Sequence, residues 1–189
     1  NPTMGEEWRR GWHPEKIAPK HADESVLIVG AGPSGLEAAR ALGQRGYAVT
    51  LAEAGAELGG RVAVESHLPG LSEWRRVADY RAYQISQMAN VGTYLESNLT
   101  AEQVLEFEAD HVVIATGARW CDSGMGRANH TPVPRCEGAN VITPDAICGG
   151  QSVEGPVVVF DDDHFYMGGL IAELLRSKGL DVALVTPSS

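Results

Sequence analysis

Short, continuous apolar runs alternate with helix-length stretches along this chain. Val26-Leu27-Ile28-Val29 is the first run. It is bounded by Gly30-Ala31-Gly32, as a fully buried strand of a parallel sheet would be. Ser34 to Arg45 reads as a helix. Its Ala38, Ala39 and Ala41 allow close approach to a sheet, Leu42 lies on the same side, and Gly46 is a stop signal. Ala48-Val49-Thr50-Leu51-Ala52 is a second strand, and the three segments make one βαβ unit. Residues 55–74 read as loop, and 74–90 as an amphipathic helix. Thr93-Tyr94-Leu95 reads as a strand, and 101–106 as a short helix capped by Thr100. His111-Val112-Val113-Ile114-Ala115 is a further buried strand running into Thr116-Gly117. Residues 118–155 are rich in Gly, Pro and polar residues without a period, and mark a boundary or crossover. Val157-Val158-Val159-Phe160, a helix over Met167 to Lys178 stopped by Gly179, and Val182-Ala183-Leu184-Val185 form a second βαβ unit.

The second unit is a weak repeat of the first. A shift of 133 residues lays Gly35 on Gly168, Ala39 on Ala172, Leu42 on Leu175, Gly46 on Gly179 and Val49 on Val182. The repeat fails in the loop after the first strand. Six residues separate Val29 from Gly35, but eight separate Phe160 from Gly168. Two nucleotide-type folds therefore follow one another, and the second has lost its loop chemistry.

Four features of the first unit could carry a ligand. Gly30-Ala31-Gly32-Pro33-Ser34-Gly35 is a GxGxxG run after a buried strand and at the head of a helix. Gly30 permits the tight turn, Gly32 lets the backbone approach a pyrophosphate, and Gly35 lets helix and strand pack closely. The helix N-terminus offers N–H groups and a positive dipole end to phosphate. Glu53 ends the second strand, 23 residues after Gly30 and 18 after Gly35, the spacing of a ribose-binding acid. It would repel a 2′-phosphate, and no Arg follows it in Ala54-Gly55-Ala56, so FAD, NAD or ADP fits and NADP fits poorly. Gly59-Gly60-Arg61 either brings a guanidinium to a phosphate or is a surface loop. Ile114-Ala115-Thr116-Gly117 ends a strand, and these features in this order are far more specific than any one of them.

The corresponding loop of the second unit reads Asp161-Asp162-Asp163-His164-Phe165-Tyr166-Met167-Gly168. Carboxylates stand where a pyrophosphate would sit, which counts against NAD(P)H oxidation here. A metal site at Asp161, Asp163 and His164 is the lesser reading, and a solvated acidic turn the preferred one.

Composition narrows the class. At 189 residues, 43% hydrophobic and 21% charged, the chain is ordinary globular material of one domain and a fraction, too short for two complete nucleotide domains. The net charge of −10 argues against sequence-independent nucleic-acid binding. No apolar run approaches the ~20 residues of a membrane span. Cys121, Cys136 and Cys148 form no CxxC, and an odd count without an export signal favours reduced thiols in the cytoplasm. The six histidines suggest no Ser-His-Asp set, and no catalytic residue is assigned. Trp8 and Trp12 in the polar first 23 residues suggest an arm that packs on something. The absence of Met at position 1 reads as an internal cut, with the first fold's closing strands expected after Ser189.

The ordered glycine loop, acid, GGR and ATG resemble the flavoproteins with two dinucleotide-binding domains. The whole chain is similar to one branch, the trimethylamine, dimethylamine and histamine dehydrogenase family of iron–sulfur flavoproteins. The resemblance lies in four stretches: residues 5–16 (GEEWRRGWHPEK), 26–35 (VLIVGAGPSG), 68–74 (LPGLSEW) and 115–120 (ATGARW). The acidic loop with Tyr166-Met167 also resembles this branch, whereas the related enoate and dienoyl-CoA reductases keep glycines there.

The resemblance implies an α/β, Rossmann-like FAD/NAD(P)-binding three-layer fold with a parallel sheet, plus the start of a second nucleotide-type domain. It divides the chain into a linker arm from a barrel (1–23), an incomplete ADP/FAD-type domain (24–125) and the start of a degenerate NAD(P)-type domain (126–189). It implies ADP, or FAD, on Gly30, Gly32, Pro33, Ser34, Gly35, Glu53, Ala54, Gly60, Arg61 and Leu99, with Thr116 and Gly117 nearby. FMN and a [4Fe–4S] cluster would lie N-terminal to this region, with a small amine as substrate. An electron-transfer flavoprotein would be the acceptor and the full-length protein a homodimer. The alternatives are a fragment of an NAD(P)H-dependent FMN/FAD enoate or dienoyl-CoA reductase, and a non-catalytic adenine-nucleotide-binding docking module.

Overall fold

The structure, a computed structural model, describes residues 17–186. The arm with Trp8 and Trp12, and the similarity over residues 5–16, lie outside the described residues. The chain divides into two compact units. The first comprises residues 17–63 and 75–117, the second 64–74 and 118–186.

The first unit is built on a four-stranded parallel sheet of order β3-β2-β1-β4. Its strands are β1 (Ser25–Val29), β2 (Ala48–Ala52), β3 (Val91–Tyr94) and β4 (His111–Ile114). Val26 and Ile28 of β1 stand beside Val49 and Leu51 of β2, one row apart on a single face. Helices α1 (Pro33–Arg45) and α3 (Arg75–Ser86) cover that face, burying Leu36, Ala39, Ala78 and Ile85 against it. Pro33 opens α1 at a position where its missing N–H costs nothing. Gly46, at φ 95°, ends it: Gly46 N–H bonds to Gly43 O at 3.0 Å and Tyr47 N–H to Leu42 O at 3.2 Å. Glu37 on α1 bonds both Arg40 and, at 2.7 Å, Arg81 of α3, tying the two helices together.

Four expectations for this unit change. A helical turn, α2 (Arg61–Glu65), stands where loop was expected, and α3 ends at Ser86 rather than 90. β3 starts at Val91, two residues before the expected strand. β4 is not buried. It pairs with β1 and lies at the edge of the sheet, with Val112 42% and Ile114 65% exposed. The alternating side chains of its apolar run separate into Val113, which packs on the core, and two that face away from it. Between β3 and β4, α4 (Ala101–Glu106) opens with the expected Thr100 cap, reciprocated by Gln103.

In the second unit, β5 (Val157–Phe160) and β6 (Val182–Val185) pair in parallel around α6 (Tyr166–Ser177). Met167, Ile171 and Leu175 of α6 are buried with Leu68 and Ile147. Ile147 belongs to α5 (Pro144–Cys148), a short helix inside the stretch expected to be irregular; the Thr143 hydroxyl caps it on Ala146 N–H. Leu68 and Leu71 pack in this same cluster, which is why residues 64–74 group with the second unit. All three cysteines are free thiols. Among the described residues no helix is long and apolar enough to cross a membrane.

Candidate functional site

The glycine turn lies at the carboxyl end of β1, the edge at which open α/β sheets take their ligands. Gly30 has φ 101°, a conformation that L side chains rarely adopt. A Cβ there would also collide with the Ala115 carbonyl. Ala115 N–H bonds to Val29 O at 2.8 Å, so the Ala115-Thr116-Gly117 turn is seated directly on the first glycine. Gly35 is closed in another way. A Cβ there would overlap the Gly30 carbonyl, so only glycine lets α1 start so near the strand end.

Gly32 differs from both. Nothing lies within 4 Å of where its Cβ would stand, and its φ of −68° suits any residue. The space in front of Gly32 is open, which is where a backbone must be approached if a pyrophosphate is to sit there. The first α-helical bond is from Leu36 N–H to Gly32 O at 2.9 Å. The Ser34 and Gly35 N–H groups precede it and are not part of the helix ladder. Ser34 is exposed and Pro33 half-buried beside them.

Glu53 reaches back to this turn. One carboxylate oxygen accepts the Ala31 N–H at 2.7 Å and the other the Gly55 N–H at 2.8 Å. Two carboxylate oxygens offer about four acceptor sites, so the anion keeps capacity for a diol. Gly59 N–H bonds to Ala31 O at 2.9 Å, and a Cβ on Gly60 would lie 3.0 Å from Gly32 Cα. The Gly59-Gly60 turn therefore packs on the glycine loop, and Arg61 follows as the first residue of α2. The strand-end loops are stitched together: Glu53 N–H to Tyr94 O, Ser97 N–H to Glu53 O, and Glu96 N–H to Gly55 O.

The structure thus brings Gly30, Gly32, Pro33, Ser34, Gly35, Glu53, Gly60, Thr116 and Gly117 to one end of the sheet. Ala54 is exposed next to Glu53. Leu99 is half-buried just beyond the stitched segment 94–97. Sequence reasoning missed Ala31, whose N–H holds Glu53, and Ala115, whose carbonyl closes on Gly30. Both act through backbone atoms, and only their places inside the two motifs could have pointed to them.

The acidic loop of the second unit departs from the expected solvated turn at Asp162, whereas Asp161 and Asp163 are half-buried and His164 is exposed. Asp162 is 8% exposed and accepts N–H groups from Ala128 and Asn129. Among the described residues, no group of three His, Cys, Asp or Glu side chains is placed to hold a metal ion.

A parallel sheet, a glycine turn with open space at its second glycine, and a strand-end acid bonded to that turn define a Rossmann-like, dinucleotide-binding α/β fold. The family model described as pyridine nucleotide-disulphide oxidoreductase matches residues 24–147. This chain belongs to that family. It is 40% identical to dimethylamine dehydrogenase of Hyphomicrobium sp. (strain x) over 98% of this chain and 26% of that protein. Histamine dehydrogenase from Rhizobium sp. 4-9 superposes with a TM-score of 0.95 at 55% identity, over 100% of this chain and 30% of the other. The 6-hydroxypseudooxynicotine amine oxidase from Pseudomonas geniculata N1 gives 0.93 at 49%, over 98% and 28%. The resemblance to amine-oxidising flavoproteins is therefore established, and the chain spans between a quarter and a third of these relatives.

Proposed function

We propose that this chain is the adenine-nucleotide-binding part of an amine dehydrogenase and that it holds ADP structurally. The observation that carries the reading is the Glu53 carboxylate, fixed between the Ala31 and Gly55 N–H groups with acceptor capacity left over. Such an acid suits a ribose with both hydroxyls free and repels a 2′-phosphate. Gly32 and the first-turn N–H groups of Ser34 and Gly35 would receive the phosphates, with Arg61 as a counter-charge from the Gly60 turn. Ala54 and Leu99 would flank the adenosine, and Thr116 and Gly117 would bound the phosphate side. The same residues fit the ADP moiety of FAD.

The intact protein, on this reading, oxidises a small amine. Its FMN and [4Fe–4S] cluster lie outside this chain and supply the redox chemistry. An electron-transfer flavoprotein takes the electrons from a cytoplasmic homodimer. Similarity to dimethylamine and histamine dehydrogenases supports the amine. The carboxylates of the β5–α6 loop weigh against an NAD(P)H-dependent enoate reductase.

The test is the intact native protein mixed with a panel of amines or with NADPH, under anaerobic conditions, while flavin absorbance is followed. Bleaching by at least one small amine and not by NADPH is expected. Bleaching by NADPH alone would overturn the reading in favour of a reductase.

A further inference from the structure

Residues 53–61 join the strand-end acid to the Gly60-Arg61 turn, and three of the nine are glycine. Both ends of this segment are anchored. Glu53 accepts Gly55 N–H at 2.8 Å at one end, and Gly59 N–H bonds to Ala31 O at 2.9 Å at the other. Leu58 packs on the core, and a Cβ on Gly59 would lie 3.0 Å from Ala78 Cβ, so the far end lies directly against α3. Between the anchors, residues 54–57 are exposed. Such a segment loses conformational freedom when a ligand needs it held, and that loss weakens binding unless the chain has already fixed it.

α3 supplies a hold at that point. Arg75, its first residue, donates from both terminal guanidinium nitrogens to one Glu57 carboxylate oxygen, each at 3.2 Å. Its Nε–H donates to Asp79, one turn further along α3, at 3.1 Å. The Asp79 bond orients the planar guanidinium, so less side-chain freedom is lost when the same group clasps the loop. The Arg75 side chain is half-buried, and those of Glu57 and Asp79 are exposed. Ion pairs this open to solvent add little to global stability. Their effect is local, on the loop whose two ends carry Glu53 and Arg61.

We propose that Arg75 is a positioning residue for the nucleotide site. It clasps Glu57, so that residues 54–58 are already set when the ribose arrives at Glu53 and the phosphates at Gly60 and Arg61. Arg75 acts through the loop and does not touch the nucleotide. The inference rests on the ADP reading of the first unit and deepens it. It also reverses what charge alone predicts. Glu57 is an acid beside an anionic ligand, so simple repulsion would make its neutralisation favourable. As the other half of the clasp, Glu57 instead strengthens binding.

The experiment is ADP titration calorimetry of nucleotide-stripped intact protein, paired with peptide-resolved hydrogen exchange of the same stripped protein. Wild type is compared with Arg75→Gln, Glu57→Gln, the double variant and Arg76→Gln. Glu57→Gln should weaken ADP binding about two- to fivefold, the worth of a partly exposed ion pair. It should also raise exchange across residues 54–59 while the thermal midpoint holds. Arg75→Gln should do at least as much. The double variant should match Arg75→Gln, because either change opens the same clasp. Arg76→Gln removes the same charge one position along α3 and should bind ADP more tightly than Arg75→Gln. ADP bound by Glu57→Gln as tightly as by wild type, or more tightly, would overturn the proposal. So would a double variant whose loss is the product of the two single losses. Wild-type exchange at 54–59 in both single variants would refute the clasp whatever ADP does. Wild-type protein that takes no ADP would instead refute the nucleotide reading on which the proposal rests.

Discussion

Replacing Glu53 by Ala removes one carboxylate that serves two purposes, and the structure separates them. Within the chain, Glu53 holds Ala31 N–H at 2.7 Å and Gly55 N–H at 2.8 Å. Ala31 is fully buried, so its N–H cannot find water when the acceptor goes, a loss of about 1–3 kcal/mol. Gly55 is exposed and its N–H rehydrates, so that bond costs only about 0.5–1.5 kcal/mol. The strand-end loops should therefore loosen at Ala31 more than at Gly55, a contrast that amide exchange reads directly. In the complex, the ribose loses a charged acceptor worth about 1.5–3 kcal/mol, which is roughly 10- to 100-fold in ADP affinity. Titration calorimetry of nucleotide-stripped intact protein measures that ratio. Glu53→Gln keeps one acceptor oxygen and should fall between wild type and Glu53→Ala. ADP affinities of both variants within twofold of wild type would refute the ribose role of Glu53, even if the loops had loosened.

Two further substitutions divide the glycines of the turn by role. Gly35→Ala drives a methyl into the Gly30 carbonyl, a backbone neighbour that cannot yield, and should cost about 1–3 kcal/mol or more, seen as a lowered thermal midpoint. Gly32→Ala meets nothing within 4 Å, so the midpoint should hold while ADP binding weakens; a lost midpoint or unchanged binding would contradict the assignment. Stability should also respond to acid through Glu37. The Arg40 hydrogen bond, with the Arg40 and Arg81 charges, holds its carboxyl below the ordinary value of 4.5 despite partial burial. A lowered folded pKa means this contribution is complete above the ordinary carboxylate range. It is lost as pH falls through the folded value. Glu37→Gln should therefore flatten the acid limb of the stability–pH curve below that range and leave a curve of unchanged shape above it. An acid limb identical to wild type would remove Glu37 from this role.

The βαβ frame was legible because its signals are local. Continuous apolar runs marked β1, β2 and β5, and Gly46 and Gly179 marked helix ends that the structure closes with φ 95° and φ 86°. The candidate site was legible at Gly30, Gly32, Gly35 and Glu53 because each needs a particular residue type at a fixed spacing. What escaped depends on neighbours distant in sequence. α2 and α5 are five residues each, too short to show a period, although Thr143-Pro144 was a readable capping signal for α5. The exposure of Ile114 follows from β4 lying at the sheet edge, which an apolar run cannot reveal. Asp162 looked like one of three solvated acids, and only the approach of Ala128 and Asn129 shows it to be the buried one.

The most direct test of the central claim is mass spectrometry of the small molecules released from the intact native protein. The expected result is about one ADP per chain, lost or depleted in the Glu53→Ala protein. FAD in its place would keep the ribose role of Glu53 but make the site redox-active rather than structural. NADP(H), or an adenine nucleotide retained in full by Glu53→Ala, would contradict the claim.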